Sequence, residues 1–395
     1  MTDDLPAFPL DHLALRGAPD APALRIKDKV YSYQSLNHRI GRLAAILASH
    51  DFTKGDRIAT WLPKTELACL MPLAAVRAGL VHVPINPLLK AAQVKHILTD
   101  SGARALLTPK ARSALLGEGD VPDATVLLDE SEILGATDQQ GDFLPPLPAD
   151  SDTNGLAAIL YTSGSTGRPK GVMLSHANLA IGAVSVASYL KLAADDVTLA
   201  VLPLSFDYGQ NQLLSTWQAG GCVVPLDYLT PRDVIKACAI QGVTTLAAVP
   251  PLWVQLAEQD WPEEATANMR RLTNSGGALT PSLVKALRGI FGAKTDIYAM
   301  YGLTEAFRST FLDPSLIDAN PTSMGNAIPF AEILVVAKDG SEAKPEEHGE
   351  LVHAGPLVAQ GYWQDTERTA LRYKPAPAFS RYGGMAVWSG DTVWR

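Results

Sequence analysis

Cysteine is scarce: Cys69, Cys222 and Cys238 are the only three in 395 residues, far apart and in apolar surroundings. An odd count without metal-ligand spacing speaks against a disulfide framework and against a zinc site, and leaves free thiols in a reducing cytoplasm. There is no excess of positive charge, since 33 basic against 41 acidic residues leave a net charge of −8. No basic surface for a nucleic-acid partner is implied. No uninterrupted apolar run is long enough to read as a transmembrane segment; Leu67 to Ile85 comes nearest, but Pro72, Arg77 and Pro84 interrupt it. A helix followed by a buried strand fits that stretch better. The opening Met-Thr-Asp-Asp carries neither a basic region nor an apolar core, so no signal peptide is expected. Composition is silent on oligomeric state.

What is present is ordinary globular composition, 47% hydrophobic and 19% charged, in a chain too long for one simple core. Short apolar runs alternate with helical patterns. Arg57–Leu62, Val81–Ile85, Arg104–Thr108 and Thr125–Asp129 read as strands, and Ser35–Ser49, Glu66–Gly79 and Ala91–Ser101 as helices. After an Asp-, Pro- and Gly-rich stretch at Glu130–Gly155, read as an exposed connection, the alternation resumes. Strands are expected at Val197–Leu204, Cys222–Leu226, Thr244–Val249, Arg271–Asn274 and Asp296–Met300, with helices such as Arg232–Ile240 and Pro281–Ile290 between them. From about Ser323 onward, Ala331–Ala337 and Gly349–His353 read as antiparallel strands. The pattern predicts an α/β fold with two helix-covered, mostly parallel sheets and a small β-barrel-like subdomain at the C-terminal end. The expected units are residues 1–175, 176–322 and 323–395.

The most informative stretch is Tyr161–Gly171, Tyr-Thr-Ser-Gly-Ser-Thr-Gly-Arg-Pro-Lys-Gly. It follows the apolar run Leu156–Leu160, which reads as a strand, and precedes Val172–Leu192, which reads as a helix. Glycines let backbone N–H groups approach an anion, Thr162, Ser163, Ser165 and Thr166 add hydroxyl donors, and Lys170 brings a mobile positive charge. That combination suits phosphate. A Ser/Gly surface turn would explain four or five such residues, less easily eleven in this order. The common P-loop is excluded, because Arg168 and Pro169 separate Gly167 from Lys170 and Gly171 follows the lysine.

A second segment, Ala-Met-Tyr-Gly-Leu-Thr-Glu at 299–305, leaves the end of a predicted strand, the place where open α/β sheets bind ligands. A third, Asn-Ser-Gly-Gly-Ala-Leu at 274–279, ends another strand, and Trp-Ser-Gly-Asp at 388–391 lies near the end of the chain. In this order the four segments resemble the adenylate-forming superfamily of acyl-CoA synthetases, nonribosomal adenylation domains and firefly luciferase; the resemblance runs from roughly Ala23 onward. It implies that Thr162, Ser163, Gly164, Ser165, Thr166, Gly167 and Lys170 form the phosphate loop. It places Tyr301 on adenine beside Gly302, Gly277 and Ala278, Thr304 on the α-phosphate, and Asp391 on the ribose hydroxyls. Ser389 stands where the family usually has threonine. Glu305 would hold the Mg²⁺ of ATP, and Lys170, Thr304 and Glu305 would be the catalytic group. The implied acid pocket is Phe206, Asp207, Tyr208, Ser275, Gly276, Gly302 and Leu303. Ser205–Asn211 and Tyr301–Arg308 look most like the AMP-forming acyl-CoA ligases found beside bacterial exosortase systems.

By this resemblance the chain activates a small-molecule carboxylic acid with ATP and Mg²⁺ and passes it to CoA or to the phosphopantetheine of an acyl carrier protein. Alternatives are an adenylation enzyme that loads a carrier protein, or a non-catalytic nucleotide-binding protein. Members of the family typically carry a further C-terminal lid domain of roughly a hundred residues with a catalytic lysine. Nothing after Asp391 resembles it, so poor activity is expected of this chain alone. Asp207 has two readings: a partner for a substrate ammonium, or a cap for a helix beginning near Gly209.

Overall fold

In the computed structural model, residues 5–139, 141–162 and 168–395 are described. Three sheets result. The first has six strands in the order Val126–Asp129, Ala105–Thr108, Arg57–Thr60, Val81–Pro84, Leu156–Thr162 and Lys170–Ser175. All its pairings are parallel except the last. In the nine-stranded second sheet, Asp296–Gly302, Arg271–Asn274, Thr245–Ala248, Val197–Ala200, Cys222–Pro225 and Pro22–Ile26 lie parallel in that order. Antiparallel strands finish both of its edges. The third is a four-stranded antiparallel sheet of Glu332–Val336, Gly349–Ala354, Met385–Val393 and Tyr373–Pro375. It occupies the place expected of a barrel-like subdomain.

Parallel strands must be covered on both faces, and the helices supply that cover. One apolar core joins Ile58, Leu107 and Leu160 of the first sheet to Leu24 and Val223 of the second, through helix residues such as Leu36, Leu73, Leu179 and Trp217. Helices Tyr33–Ala48, Glu66–Arg77, His176–Tyr189 and Asp207–Gln218 therefore form a layer that both sheets share. Outer helices Pro231–Gln241, Pro250–Ala257 and Pro281–Phe291 cover the far face of the second sheet, and Ala91–Ser101 that of the first. Among the described residues no helix is long and apolar enough to cross a membrane.

Three sequence expectations are revised. Val172–Leu192 is not one helix: Lys170–Ser175 is a strand that pairs antiparallel with Leu156–Thr162, and the helix starts at His176. The break comes at Ser175, whose hydroxyl accepts from the Asn178 N–H while the Asn178 side chain reaches back, a reciprocal N-terminal cap. Glu130–Gly155 is not wholly irregular, because Asp129 caps a short helix at Glu130–Asp138 through the N–H groups of Ser131 and Glu132. Finally, sheet membership does not follow the expected boundaries at 175 and 322. The N-terminal hairpin Pro22–Ser32 extends the second sheet, and so does Asn326–Ala327.

The N-terminal turn Leu10–Leu15 is held to the shared helix layer by charge as well as packing. Arg77 Nε donates to Asp11 Oδ2 at 2.9 Å, with both side chains fully buried. The same carboxylate oxygen accepts from the Leu147 N–H at 3.0 Å, and Arg77 Nη1 reaches the Asn37 carbonyl at 3.1 Å. Removing one partner strands the other charge in an apolar layer. Asp11→Ala should lower unfolding free energy by about 3–5 kcal/mol, and Asp11→Leu with Arg77→Met by clearly less. Urea titration checks both; equal losses would mean that the charges matter only as volume.

Candidate functional site

The strands that flank the predicted phosphate loop, Leu156–Thr162 and Lys170–Ser175, pair antiparallel. Thr162 and Lys170 face each other across the pair of strands, and Ser163, Gly164, Ser165, Thr166 and Gly167 lie outside the described residues. Two features of the flanks are informative. The Thr162 hydroxyl is buried with no hydrogen-bond partner among the described residues, an uncommon state for a buried donor. At the other end His96 Nε2 lies 3.0 Å from the Pro169 carbonyl and ties the loop to the outer helix of the first sheet.

Lys170 does not face open solvent. Its Nζ lies 3.0 Å from Glu305 Oε1 and donates to the Tyr362 hydroxyl at 2.5 Å, over whose ring it also sits at 4.2 Å. Tyr362 in turn donates to the same Glu305 oxygen at 2.6 Å. The trio joins residues 135 and 57 positions apart in the chain. Burial pushes the Glu305 carboxyl up, but the Tyr362 hydrogen bond and the Lys170 charge outweigh it and hold the group below the usual glutamate range.

Glu305 is presented by a tight reversal. Strand Asp296–Gly302 ends, Thr304–Ala306 forms one 3-10 turn, and Arg308–Phe311 returns antiparallel. A Cβ at Gly302 would lie 2.8 Å from both the Phe307 carbonyl oxygen and Arg308 Cα, so only glycine lets the two strands close here. Phe307 has φ 57°, and the left-handed residue completes the reversal. Thr304 Oγ1 is 3.4 Å from Asp207 Oδ1.

Asp207 is itself the first residue of helix Asp207–Gln218, and Phe206 occupies the capping position without a side-chain cap bond. The expected cap at Gly209 is therefore not formed. Burial pushes the Asp207 carboxyl up, with Arg308 the largest opposing influence. Tyr208 places its hydroxyl 2.8 Å from Thr273 Oγ1, Phe206 is exposed, and Leu303 packs against the shared core.

Tyr301 links this edge to the small sheet. Its hydroxyl donates to Asp391, and its ring stacks on His353 with centroids 5.9 Å apart and planes 22° from parallel. Burial, reinforced by Arg372, brings the His353 imidazole down to about 4, so it is neutral near pH 7. Ser275, Gly276, Gly277 and Ala278 leave the neighbouring strand at the same carboxyl edge, where Asn274 pairs in register with Ala299. Asn274 Nδ2 pins the turn by donating to the Gly277 carbonyl at 2.8 Å. No hydrogen bond or ring contact links this turn to Tyr301 among the described residues.

The structure thus groups Lys170 with Glu305, Thr304 with Asp207, and Tyr301 with Asp391. Sequence reasoning gave no role to Tyr362, His353 or Arg308. No local pattern marks any of the three for a role. Among the described residues no group of three or more His, Cys, Asp or Glu side chains could hold a metal alone. A site of one carboxylate completed by substrate phosphates remains consistent with Glu305, because both side-chain donors fall on Oε1 and leave Oε2 for a cation.

A family model described as "AMP-binding enzyme" matches residues 12–363. A feruloyl-CoA synthase from Amycolatopsis sp is 31% identical over 388 residues, covering 95% of this chain and 75% of that protein. ATP-bound MatB from Rhodopseudomonas palustris superposes with a TM-score of 0.84 at 26% identity, covering 97% of this chain and 76% of that one. The crystal structure of VinN gives 0.86 at 28% identity, with 98% and 97% covered.

A carboxylate whose pKa falls on folding stabilises the fold above its unfolded pKa, and that contribution is lost as pH drops through the lower folded value. The difference in melting temperature between the wild type and Glu305→Gln should therefore stay constant from neutral pH to about pH 5 and shrink below about pH 4. A difference unchanged down to about pH 3 would show that the ionised carboxylate contributes nothing.

Proposed function

The chain belongs to the AMP-binding enzyme family, and we propose that it is an AMP-forming acid–thiol ligase working at the carboxyl edge of the second sheet. One observation carries the reading: a lysine next to a Ser/Thr/Gly loop converges on the Glu305 carboxylate from a different sheet, beside a threonine and a ring suited to a nucleotide. Lys170 and the loop's N–H and hydroxyl donors hold the phosphates. Tyr301, covered on one face by neutral His353, offers its ring to adenine. Asp391, already oriented by the Tyr301 hydroxyl, takes the ribose hydroxyls. Mg²⁺ would be held by Glu305 together with the nucleotide's own phosphates, supplying charge neutralisation there.

In the first half-reaction a carboxylate oxygen of the acid attacks the α-phosphorus. The bond from that phosphorus to the bridging oxygen breaks, and pyrophosphate leaves with the electron pair. Thr304 at the α-phosphate and Lys170 at the leaving phosphates stabilise charge that grows as the bond breaks, which is where a fixed donor lowers a barrier. In the second, a thiol sulfur attacks the acyl carbon, the thiol proton passes to solvent, and AMP departs. CoA or a carrier-protein phosphopantetheine would supply the thiol. The buried free thiols of Cys69, Cys222 and Cys238 support a reducing, cytoplasmic setting.

Calorimetry with AMP and with MgATP should show binding that Tyr301→Ala weakens about 10-fold or more, the scale of a lost aromatic stack. No heat at millimolar nucleotide would sink the assignment of these residues to one site. A screen of acids by ATP–pyrophosphate exchange should find substrates, and Lys170→Ala should lower the rate about 100-fold. Exchange unaffected by that substitution would take Lys170 out of the reaction.

A further inference from the structure

The strand that carries Asp391 is irregular at that residue. Across the small sheet Trp388 pairs with Val352 and Thr392 with Glu350, so Ser389, Gly390 and Asp391 stand opposite the single residue Leu351. The ladder does not fix the extra residues of a bulge, and their side chains point where other contacts aim them. Three groups make those contacts here. Ser389 Oγ accepts from the Asp391 N–H at 3.0 Å. Glu350 Oε1 accepts from the Gly390 N–H at 3.0 Å, where the backbone takes φ 75°. Arg372 Nη1 donates to the Trp388 carbonyl at 3.0 Å and also to the Ser389 carbonyl.

Arg372 is the last residue of the helix Thr366–Arg372. A basic residue in that place ordinarily serves the free carbonyls of its own helix. This one instead reaches the carbonyls of another strand. Its Nε is buried with no hydrogen-bond partner among the described residues, a cost that an arginine turned to solvent would avoid. The same charge is felt at Tyr301: burial and the Asp391 bond raise the Tyr301 hydroxyl, and Arg372 opposes them. We propose that Arg372 is a positioning residue for nucleotide binding, which clamps the bulge and so aims the Asp391 carboxylate at both ribose hydroxyls. A carboxylate gains most from two donors when both of its oxygens are presented together. The Tyr301 hydroxyl holds the tip of the side chain, and the Arg372 clamp holds the backbone from which it springs. An ammonium on a flexible stem would hold two carbonyls less firmly than a guanidinium does. This inference rests on the nucleotide site of the ligase reading and adds to it a residue that acts only through Asp391.

The test is calorimetry with AMP and with 2′,3′-dideoxy-AMP, which lacks both ribose hydroxyls. The wild type should prefer AMP by about 10-fold or more, the scale of hydrogen bonds to a charged group. Arg372→Met should cut that preference to about 3-fold or less by weakening AMP alone, with the affinity for the dideoxy nucleotide unchanged. Arg372→Lys should fall between the two. Asp391→Asn should lose the preference as well, and adding Arg372→Met to it should change nothing further. A preference that survives Arg372→Met, or equal weakening of both nucleotides, overturns the inference and leaves the ligase reading standing. If Arg372→Met does not fold, Arg372→Lys decides: a reduced preference supports the clamp, and an unchanged one overturns it. Should the wild type bind AMP without preferring it, Asp391 is not on the ribose and the inference falls with that assignment. Should AMP itself not bind, the ligase reading falls and takes this one with it.

Discussion

A carboxylate shut away from water must find its counter-charge nearby, and at Glu305 that requirement draws the whole fold together. Lys170 arrives on the last strand of the first sheet, Glu305 on the turn that ends a strand of the second, and Tyr362 from the segment that leads into the small sheet. Tyr362 bridges Val172 on the strand that carries Lys170, whereas Glu305 comes from the second sheet, so the contact forms only when the two sheets are in place. A pair of this kind contributes little to stability for its own sake, since desolvation offsets much of the attraction. What it secures is geometry: a lysine held at a fixed place beside the loop proposed to receive phosphate.

The same edge carries two polar regions of different character. Around Lys170 and Glu305 the charges neutralise one another, and a nucleotide bound as proposed would compete for partners that are already aligned. Beside Arg308 the amides of Asn211 and Gln212 are buried with no hydrogen-bond partner among the described residues. Cores seldom tolerate such groups. Where they persist, a ligand is the natural source of the missing partners.

Much of the architecture was legible in the chain because parallel strands covered on both faces become short apolar runs between amphipathic helices. Ala91–Ser101 and Arg271–Asn274 matched their predicted bounds residue for residue. The exceptions are instructive. Val172 and Leu174 are apolar enough to continue either a helix or a strand, and only pairing with Leu156–Thr162 decides for the strand. The hairpin Pro22–Ser32 has nothing in its residues to say which of two sheets it will join. Its partner, Cys222–Pro225, is about two hundred residues away.

Sequence alone determined the chemistry that the chain carries: the hydroxyl- and glycine-rich loop, the Tyr-Gly-Leu-Thr-Glu turn, and a glycine at 302 where no Cβ fits. These are local patterns, set by backbone conformation and side-chain type within a few residues. The tertiary structure alone decided who meets whom. That Lys170 faces Glu305 rather than solvent, that His353 covers Tyr301, and that Arg308 is buried without a carboxylate partner among the described residues follow from packing a third sheet against two that share a helix layer. Contacts between residues a hundred or more positions apart depend on that packing, and no spacing along the chain encodes them.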